Sequence, residues 1–245
     1  MKRPPRQKTY RAASSQIQPI TLQGHPPQQH SRRARTARAT GRRGLADLLE
    51  LYQGINGFQA NTLGFSDYKT TYGEVTEQGI LALSQQFSAR APLSALPASR
   101  RVFYDLGCGI GRAVVGLAIL HPELQAKGIE IVPDRIRFAR EALNRIKHKQ
   151  VAARIQIQQG NFLEPALSLR DASWVFVSNL LFDDATQRQL YEKMVSELPV
   201  GAIVICCNEL AATAAPNSRL ERVATDIPVP MTWSITSTCH VYRAR

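Results

Sequence analysis

The segment DLGCGIG, residues 105–111, carries the first chemically informative pattern in the chain. The run RVFY precedes it and the helical run RAVVGLAIL follows it, so the segment joins a strand to a helix. Gly107, Gly109 and Gly111 permit a tight turn and let a ligand approach amides that a side chain would cover. Because ligands of open parallel sheets bind beyond the carboxyl ends of the strands, this turn is a predicted ligand site.

The spacing within this turn favours a nucleoside that carries no phosphate. Dinucleotide sites use GxGxxG, where the helix N-terminus receives a pyrophosphate, whereas this turn reads GxGxG with Asp105 before it. An acid here repels phosphate and attracts a cationic, amino-bearing ligand. Glu130 ends the next predicted strand, nineteen residues after Gly111, and is placed to accept from ribose hydroxyls. Together these features predict S-adenosylmethionine, which carries a sulfonium and an ammonium; a plain glycine turn is the alternative.

Two further segments bring polar and aromatic groups to predicted strand ends. In GNFLE, residues 160–164, we expect Phe162 to lie against the adenine ring and Asn161 to accept from its exocyclic amine. A simple strand-ending turn is the alternative for this segment.

The second of these segments is VFVSNLLF, residues 175–182. It ends an apolar strand in Ser178 and Asn179, with Phe182 at the spacing of an NPPF-like motif. Polar acceptors there would align an amine, and an aromatic ring would cover a methylammonium through cation–π attraction. The alternative is an ordinary capping turn into a helix that starts near Asp183.

Strand and helix patterns alternate along the part of the chain that must position these groups. Strands are predicted at residues 101–106, 126–131, 153–158, 173–177 and 202–207, and helices at 112–120, 133–149 and 185–197. Such alternation predicts an α/β fold with helices on both faces of a parallel sheet. The chain from Leu220 onward predicts a closing antiparallel hairpin, and LADLLELY and the stretch after Thr76 predict two N-terminal helices.

The bulk composition limits the class of protein. With 245 residues, 44% of them hydrophobic, the chain can bury one core and a small accessory unit. Its longest apolar runs fall well below the roughly 20 residues that a membrane span needs, so no membrane partner is expected. Its four cysteines lack CxxC spacing, which argues against a zinc site and for reduced thiols in an intracellular protein.

The basic charge is concentrated at the start of the chain. Residues 1–43 carry eleven of the 31 lysines and arginines and no acid, while the rest of the chain has 20 basic and 19 acidic residues. This segment has too little apolar surface to fold alone, so we predict a disordered tail that contacts DNA phosphates. A solubilising tail or a mitochondrial transit peptide are the alternatives, although its prolines disfavour the helix that such a signal needs. RRAR and GRR also suit nuclear import, so the predicted location is the nucleus.

Taken in order, six motifs resemble the disruptor-of-telomeric-silencing family, the histone H3 lysine methyltransferases without a SET domain. They are YGEV, DLGCGIGR, GIEI, GNFLE, VFVSNLLF and MTWSITSTCHVY, and the resemblance spans roughly residues 66–242. It implies a class I methyltransferase fold, a Rossmann-like three-layer arrangement around a seven-stranded mixed sheet. The combination of YGE with two polar residues before LLF is its specific part, since many methyltransferases share the glycine turn.

The resemblance also implies roles for individual residues. A loop that closes over the methionine moiety would comprise Tyr72, Gly73, Glu74 and Val75. Further cofactor contacts would come from Asp105, Leu106, Gly107, Cys108, Gly109, Ile110, Gly111, Arg112, Glu130, Asn161 and Phe162. Ser178, Asn179 and Phe182 would line the channel through which a lysine reaches the methyl group.

Several positions depart from the family pattern. Family members commonly have Asn where this chain has Ser178, Asp where it has Asn161, and Gln where it has Arg112. An ungapped alignment from Trp233 puts His240 where the terminal hairpin of the family offers a Tyr to the lysine channel. His240 is therefore a further candidate catalytic residue, with an ordinary strand residue as the alternative.

These observations lead to one functional hypothesis and two rivals. We expect a basic tail at 1–43 that contacts nucleosomal DNA, a helical element with the YGEV loop at 44–97 and a catalytic domain at 98–245. The predicted function is methyl transfer from S-adenosylmethionine, without a metal, to a lysine in the globular core of histone H3 on nucleosomes. The rivals are an RNA or DNA methyltransferase and a non-catalytic chromatin-binding module.

Overall fold

A computed structural model of the chain describes residues 45–65, 70–210 and 218–245. The predicted basic tail, residues 1–43, lies outside these ranges. Within them, seven strands form one sheet. The strands are β1 (Val102–Leu106), β2 (Gln125–Glu130), β3 (Ile155–Gln159), β4 (Trp174–Val177), β5 (Ile203–Cys206), β6 (Leu220–Pro228) and β7 (Thr238–Ala244).

The sheet has the order β3-β2-β1-β4-β5-β7-β6. The first five strands in this order pair in parallel, whereas β7 is antiparallel to both β5 and β6. Strand order reverses beside β1, since β2 lies on one side of it and β4 on the other. This reversal is the switch point at which open α/β sheets bind ligands. The predicted seven-stranded mixed sheet with a closing hairpin is confirmed.

The helices are α1 (residues 45–51), α2 (Glu77–Arg90), α3 (Arg112–Leu120), α4 (Pro133–Asn144), α5 (Lys149–Ala152) and α6 (Asp184–Glu197). Thr76 caps α2 as predicted, accepting from the amide of Gly79 at 3.1 Å. The predicted helix over 133–149 instead divides into α4 and α5. The division falls at Arg145, whose guanidinium donates to the carbonyl oxygens of Leu51 and Gln53 and so anchors the end of α4 to the N-terminal segment.

Alternate residues of the central strands enter two cores, one on each face of the sheet. On β4, Trp174 and Phe176 join the core that α1, α2 and α3 cover, while Val175 and Val177 join the core that α6 covers. The three-layer architecture follows from this alternation. Because α1 and α2 share a core with the sheet, the predicted division at residue 97 stays a prediction.

All four cysteines are buried and free of disulfides. Across the described ranges, no helix is long and apolar enough to cross a membrane. The same part of the chain contains no group of three or more His, Cys, Asp or Glu side chains that could hold a metal ion.

Candidate cofactor and substrate site

The turn between β1 and α3 has the backbone conformation that its glycines predict. Gly107, Gly109 and Gly111 have φ angles of 84°, 57° and 83°, in the left-handed region that side chains disfavour. The amides of Gly107 and Cys108 both donate to the carbonyl oxygen of Ile129, at 2.8 and 3.0 Å. The turn is therefore tied to the end of β2.

Glu130 occupies the end of β2 and is almost completely buried. One carboxylate oxygen accepts from the amide of Gly109 at 2.8 Å, and the other accepts from the amide of Val132 at 2.9 Å. Each oxygen can accept a further hydrogen bond. The carboxylate is thus held in a fixed orientation with acceptor capacity left for ligand hydroxyls.

Asp105 is a second buried acid, one residue before the end of β1. Burial raises the pKa of its carboxyl to about 8, and the negative charge of Glu130 adds to this rise. A carboxyl with this pKa is largely neutral at pH 7 and gains its charge when a cation approaches. The position is suited to an ammonium-bearing ligand.

The YGEV segment lies between the glycine turn and the terminal hairpin. Val75 forms an antiparallel bridge with Met231, and the amide of Glu74 donates to the hydroxyl of Thr232 at 2.9 Å. The carboxylate of Glu74 accepts from Tyr72 Oη and from Arg112 Nη1, both at 2.8 Å. An ion pair therefore links this segment to the first residue of α3.

Tyr72 lies directly over the glycine turn. A Cβ atom built on Gly109 would stand 2.6 Å from Cε2 of its ring. Burial, together with the adjacent Glu74, raises the pKa of the Tyr72 hydroxyl well above its usual range. Tyr72 is thus a neutral aromatic wall above the turn.

Two adjoining cavities open at this edge of the sheet. The larger, of about 240 Å³, is lined by Thr70, Thr71, Tyr72, Gly73, Gly107, Glu130, Ile131, Arg135, Asn161, Phe162, Leu163, Ser178, Phe182, Asp183, Thr186 and Gln189. The smaller, of about 30 Å³, is lined by Tyr72, Gly73, Glu74, Val75, Asp105, Gly107, Cys108, Arg112, Ala113, Phe176, Ser178 and Trp233. Four residues line both: Tyr72, Gly73, Gly107 and Ser178.

The two cavities fit a nucleoside that carries an amino-acid group. A Cβ atom added to Gly107 would meet nothing within 4 Å, so the space beside this glycine is the cavity itself. The smaller cavity combines the acids Asp105 and Glu74 with the cation Arg112. The Nε of Arg112 is buried without a hydrogen-bond partner among the described residues. These charges complement an ammonium and a carboxylate on one ligand.

Most predicted cofactor residues come together at these cavities, but four, Gly109 among them, do not line either one. Leu106 is buried in the core that α6 covers. Ile110 uses its carbonyl oxygen to accept from Tyr52 Oη at 3.0 Å, and Gly111 forms the N-cap of α3. Their part is to shape the turn.

The predicted substrate residues separate into two groups. Ser178 lines both cavities, and its hydroxyl accepts from Cys207 Sγ at 3.7 Å. Phe182 stacks on Phe162 with ring centroids 5.7 Å apart, so these two predicted residues form one aromatic wall of the larger cavity.

Asn179, in contrast, is fully buried beneath the site and lines neither cavity. Its side chain donates to Gln187 Oε1 at 2.8 Å and to the Asn208 carbonyl at 3.2 Å, and accepts from the Asn208 amide at 2.8 Å. This set of hydrogen bonds turns the amide away from the channel position that the sequence predicts.

His240 also lies apart from both cavities. It pairs with Cys206 across β5 and β7, and its Nδ1 is 2.9 Å from the hydroxyl of Thr225. The His240 ring therefore contacts β6, whereas the sequence predicts that it lies in the lysine channel.

Several cavity residues, among them Trp233 and Arg135, have no role in the sequence prediction. Trp233 lines the smaller cavity and packs so closely on Gly73 that a Cβ atom there would overlap its ring. The sequence feature that could have identified Trp233 is its large aromatic side chain inside the MTWSITSTCHVY motif. Arg135 lines the larger cavity, and no motif indicates it.

A family model described as "Histone methylation protein DOT1" matches residues 63–230. The chain belongs to this family. The DOT1-family match covers the YGEV segment, every residue that lines the two cavities except Trp233, and most of the sheet. S-adenosylmethionine is the cofactor of this family, so the predicted cofactor is confirmed.

Two curated relatives are similar to parts of the chain. A "Protein-lysine N-methyltransferase" of Saccharolobus islandicus is 35% identical over 104 residues, which are 42% of this chain and 60% of the relative. A "Histone-lysine N-methyltransferase, H3 lysine-79 specific" of Caenorhabditis elegans is 24% identical over 148 residues, 57% of this chain and 15% of the relative. The chain therefore spans less than two thirds of the length of either relative.

The fold has a counterpart among solved structures. A methyltransferase from Geobacter sulfurreducens superposes with a TM-score of 0.52 and 17% identity, covering 82% of this chain and 89% of its own. This similarity confirms the predicted class I methyltransferase fold.

Proposed function

We propose that this DOT1-family chain transfers a methyl group from S-adenosylmethionine to a lysine side chain of a protein, with the core of histone H3 on the nucleosome as its substrate. The observation that carries the proposal is the position of Ser178. It lies beyond the carboxyl end of β4, beside the glycine turn of β1, and lines both cavities. A hydroxyl at this junction can contact an incoming amine.

When bound, S-adenosylmethionine supplies an electrophilic methyl group. Glu130 would accept from its ribose hydroxyls, Phe162 would cover its adenine, and Asp105 and Glu74 would hold its ammonium. Arg112 is the cation available to its carboxylate. The hydrogen bonds among these residues fix them before any ligand arrives, which is the preorganisation that positioning catalysis needs.

The lysine must arrive as a neutral amine. Its pKa near 10.4 means that deprotonation at neutral pH costs about 4–5 kcal/mol, and a dehydrated, aromatic-walled entrance lowers that pKa. The proton would pass to water as the amine enters, and the amine would then take the methyl group from the cofactor, which would leave as S-adenosylhomocysteine. In this scheme the Ser178 hydroxyl would accept a hydrogen bond from the amine and orient the lone pair of its nitrogen toward the methyl group.

Substrate choice rests on the similarity to named relatives. The family description and the name of the Caenorhabditis elegans relative support histone H3. The name of the Saccharolobus islandicus relative supports a second candidate, a lysine on another protein. The predicted contact of residues 1–43 with nucleosomal DNA and the predicted nuclear location stay proposals.

Transfer of labelled methyl groups tests these candidates side by side. Labelled S-adenosylmethionine is supplied with nucleosomes, free histones, a histone-free protein extract and RNA. We expect label on lysine of histone H3, strongest on nucleosomes. Label only in the extract would favour the second candidate, and label on RNA would overturn lysine transfer.

Removal of residues 1–43 tests the role of the basic segment. We expect lost nucleosome methylation with retained affinity for S-adenosylhomocysteine. Unchanged nucleosome methylation would remove this segment from the mechanism.

A further inference from the structure

Arg135 is a buried cation inside the larger cavity. It follows Glu130 by five residues, in the first turn of α4, and is only 6% exposed. Arginines are rarely buried to this degree unless they are paired. We therefore expect its contacts in the wall of the cavity to contribute to the site.

The guanidinium of Arg135 joins three separate parts of the site. Its Nη1 is 3.6 Å from Glu130 Oε1, and its Nη2 donates to the carbonyl oxygen of Thr70. Its Cζ lies 4.5 Å from the centroid of the Tyr72 ring. A planar guanidinium can form an ion pair at its edge and stack on an aromatic face at the same time, which a lysine ammonium cannot reproduce.

A further donor of this side chain, the N–H at Nε, has no partner in the described part of the chain. Among the described residues, Arg135 Nε is buried without a hydrogen-bond acceptor. An unpaired buried donor destabilises a fold. Either the contacts with Glu130, Thr70 and Tyr72 offset this cost, or a ligand in the cavity supplies the missing hydrogen-bond acceptor.

Arg137, two residues further along the same helix, shows what an arginine without this role looks like. Its side chain is 61% exposed, pairs with Asp134 at 3.3 Å and stacks on Phe138 at 4.4 Å. It makes the same two kinds of contact at the surface, away from either cavity. Arg135 and Arg137 therefore differ in where they make these contacts, inside the cavity or at the surface, and not in the kinds of contact.

We propose that Arg135 is a positioning residue of the cofactor site, which holds the Tyr72 ring over the glycine turn and orients the Glu130 carboxylate. The inference rests on the proposed function, because it takes the larger cavity to be the cofactor site. One side chain, that of Arg135, would thus hold both Glu130, which faces the ribose, and Tyr72, which covers the glycine turn.

The test measures the dissociation constant of S-adenosylhomocysteine by calorimetry on the full chain. We expect Arg135→Gln to weaken binding roughly tenfold, as loss of a partly desolvated cation–π and ion-pair contact predicts. Arg137→Gln, the matched control, removes the same charge from the same helix and should bind as the wild type does. Arg135→Lys should recover only part of the loss.

A double-mutant cycle separates positioning from general stability. If Arg135 acts through both Tyr72 and Glu130, the Arg135→Gln change should cost less in a Tyr72→Leu background than in the wild type, because only its contact with Glu130 is left to lose. Additive losses, or wild-type binding by Arg135→Gln, would overturn the role. Should Arg135→Gln fail to fold, wild-type affinity of Arg135→Lys overturns it instead. Absence of binding by the wild type itself would overturn the proposed function.

Discussion

The two ends of the site are built in different ways. The cofactor end, formed by the glycine turn, Glu130 and the YGEV segment, is a network of buried polar groups that hydrogen-bond to one another. The rim that we propose for the substrate, formed by residues 180, 181 and 235, is apolar and open. Leu180, Leu181 and Ile235 are 46%, 52% and 81% exposed.

This contrast shows where the binding free energy of each partner must come from. The polar network fixes donors and acceptors in advance, so a small ligand meets them without a large ordering cost. Exposed large apolar side chains gain stabilisation only when a partner removes them from water. Damage to the cofactor end should therefore affect every substrate, while damage to the rim should affect the protein substrate alone.

The largest expected effect follows from closing the cofactor end with a side chain. Gly109→Arg should weaken S-adenosylhomocysteine binding by more than about 100-fold, a loss of about 2.7 kcal/mol, because the new side chain would collide with Tyr72, which lines both cavities. Calorimetric titration measures the loss. The control is Gly201→Arg, since Gly201 shares the left-handed conformation, with φ at 85°, but stands in open space before β5. Equal losses in both variants would mean that backbone strain, and not the cavity, is responsible.

A second prediction separates the two polar residues that end β4. Ser178→Ala should lower turnover by about 10–100-fold at unchanged melting temperature, because the hydroxyl positions the amine. Asn179→Ala should instead cost about 1–3 kcal/mol of stability, because it strands the Asn208 amide and Gln187. Thermal unfolding and steady-state kinetics on the same preparations distinguish the two effects. A stable Asn179→Ala protein without turnover would mean that Asn179 contacts the substrate in the lysine channel.

These residues also show how far the sequence could predict the site. The glycine turn and α3 were predictable because they depend on local backbone chemistry, and α3 has the predicted bounds. Whether Asn179 points into the channel or into the fold depends on Asn208 and Gln187, which are distant in sequence or outside the motif. The placement of Arg135 over Tyr72 and the end of α4 just before Arg145 likewise depend on tertiary contacts. A single sequence carries no local signal for such contacts.

A third prediction uses the raised pKa of Asp105. Because its carboxyl has a pKa of about 8 in the free protein, it is protonated at pH 6–7 and must lose the proton to pair with an ammonium. Affinity for S-adenosylhomocysteine should therefore rise with pH up to about pH 8, by at most about tenfold per pH unit. Calorimetry in buffers of different ionisation enthalpy should detect proton release near pH 7. The Asp105→Asn variant should lose this component, and its persistence there would assign the proton to another group.

The smallest effect is expected at the substrate rim. Leu180→Ser with Leu181→Ser should raise KM for the protein substrate several-fold, since about half of each side chain is already in water and only the remainder can be buried further. The affinity for S-adenosylhomocysteine should not change, because neither leucine lines a cavity. Val200→Ser is the matched control, being 71% exposed before β5, at the opposite end of the strands. If the leucine variant altered cofactor affinity and KM together, the two ends of the site would be one coupled unit, and the division between a preformed polar end and an open apolar rim would fail.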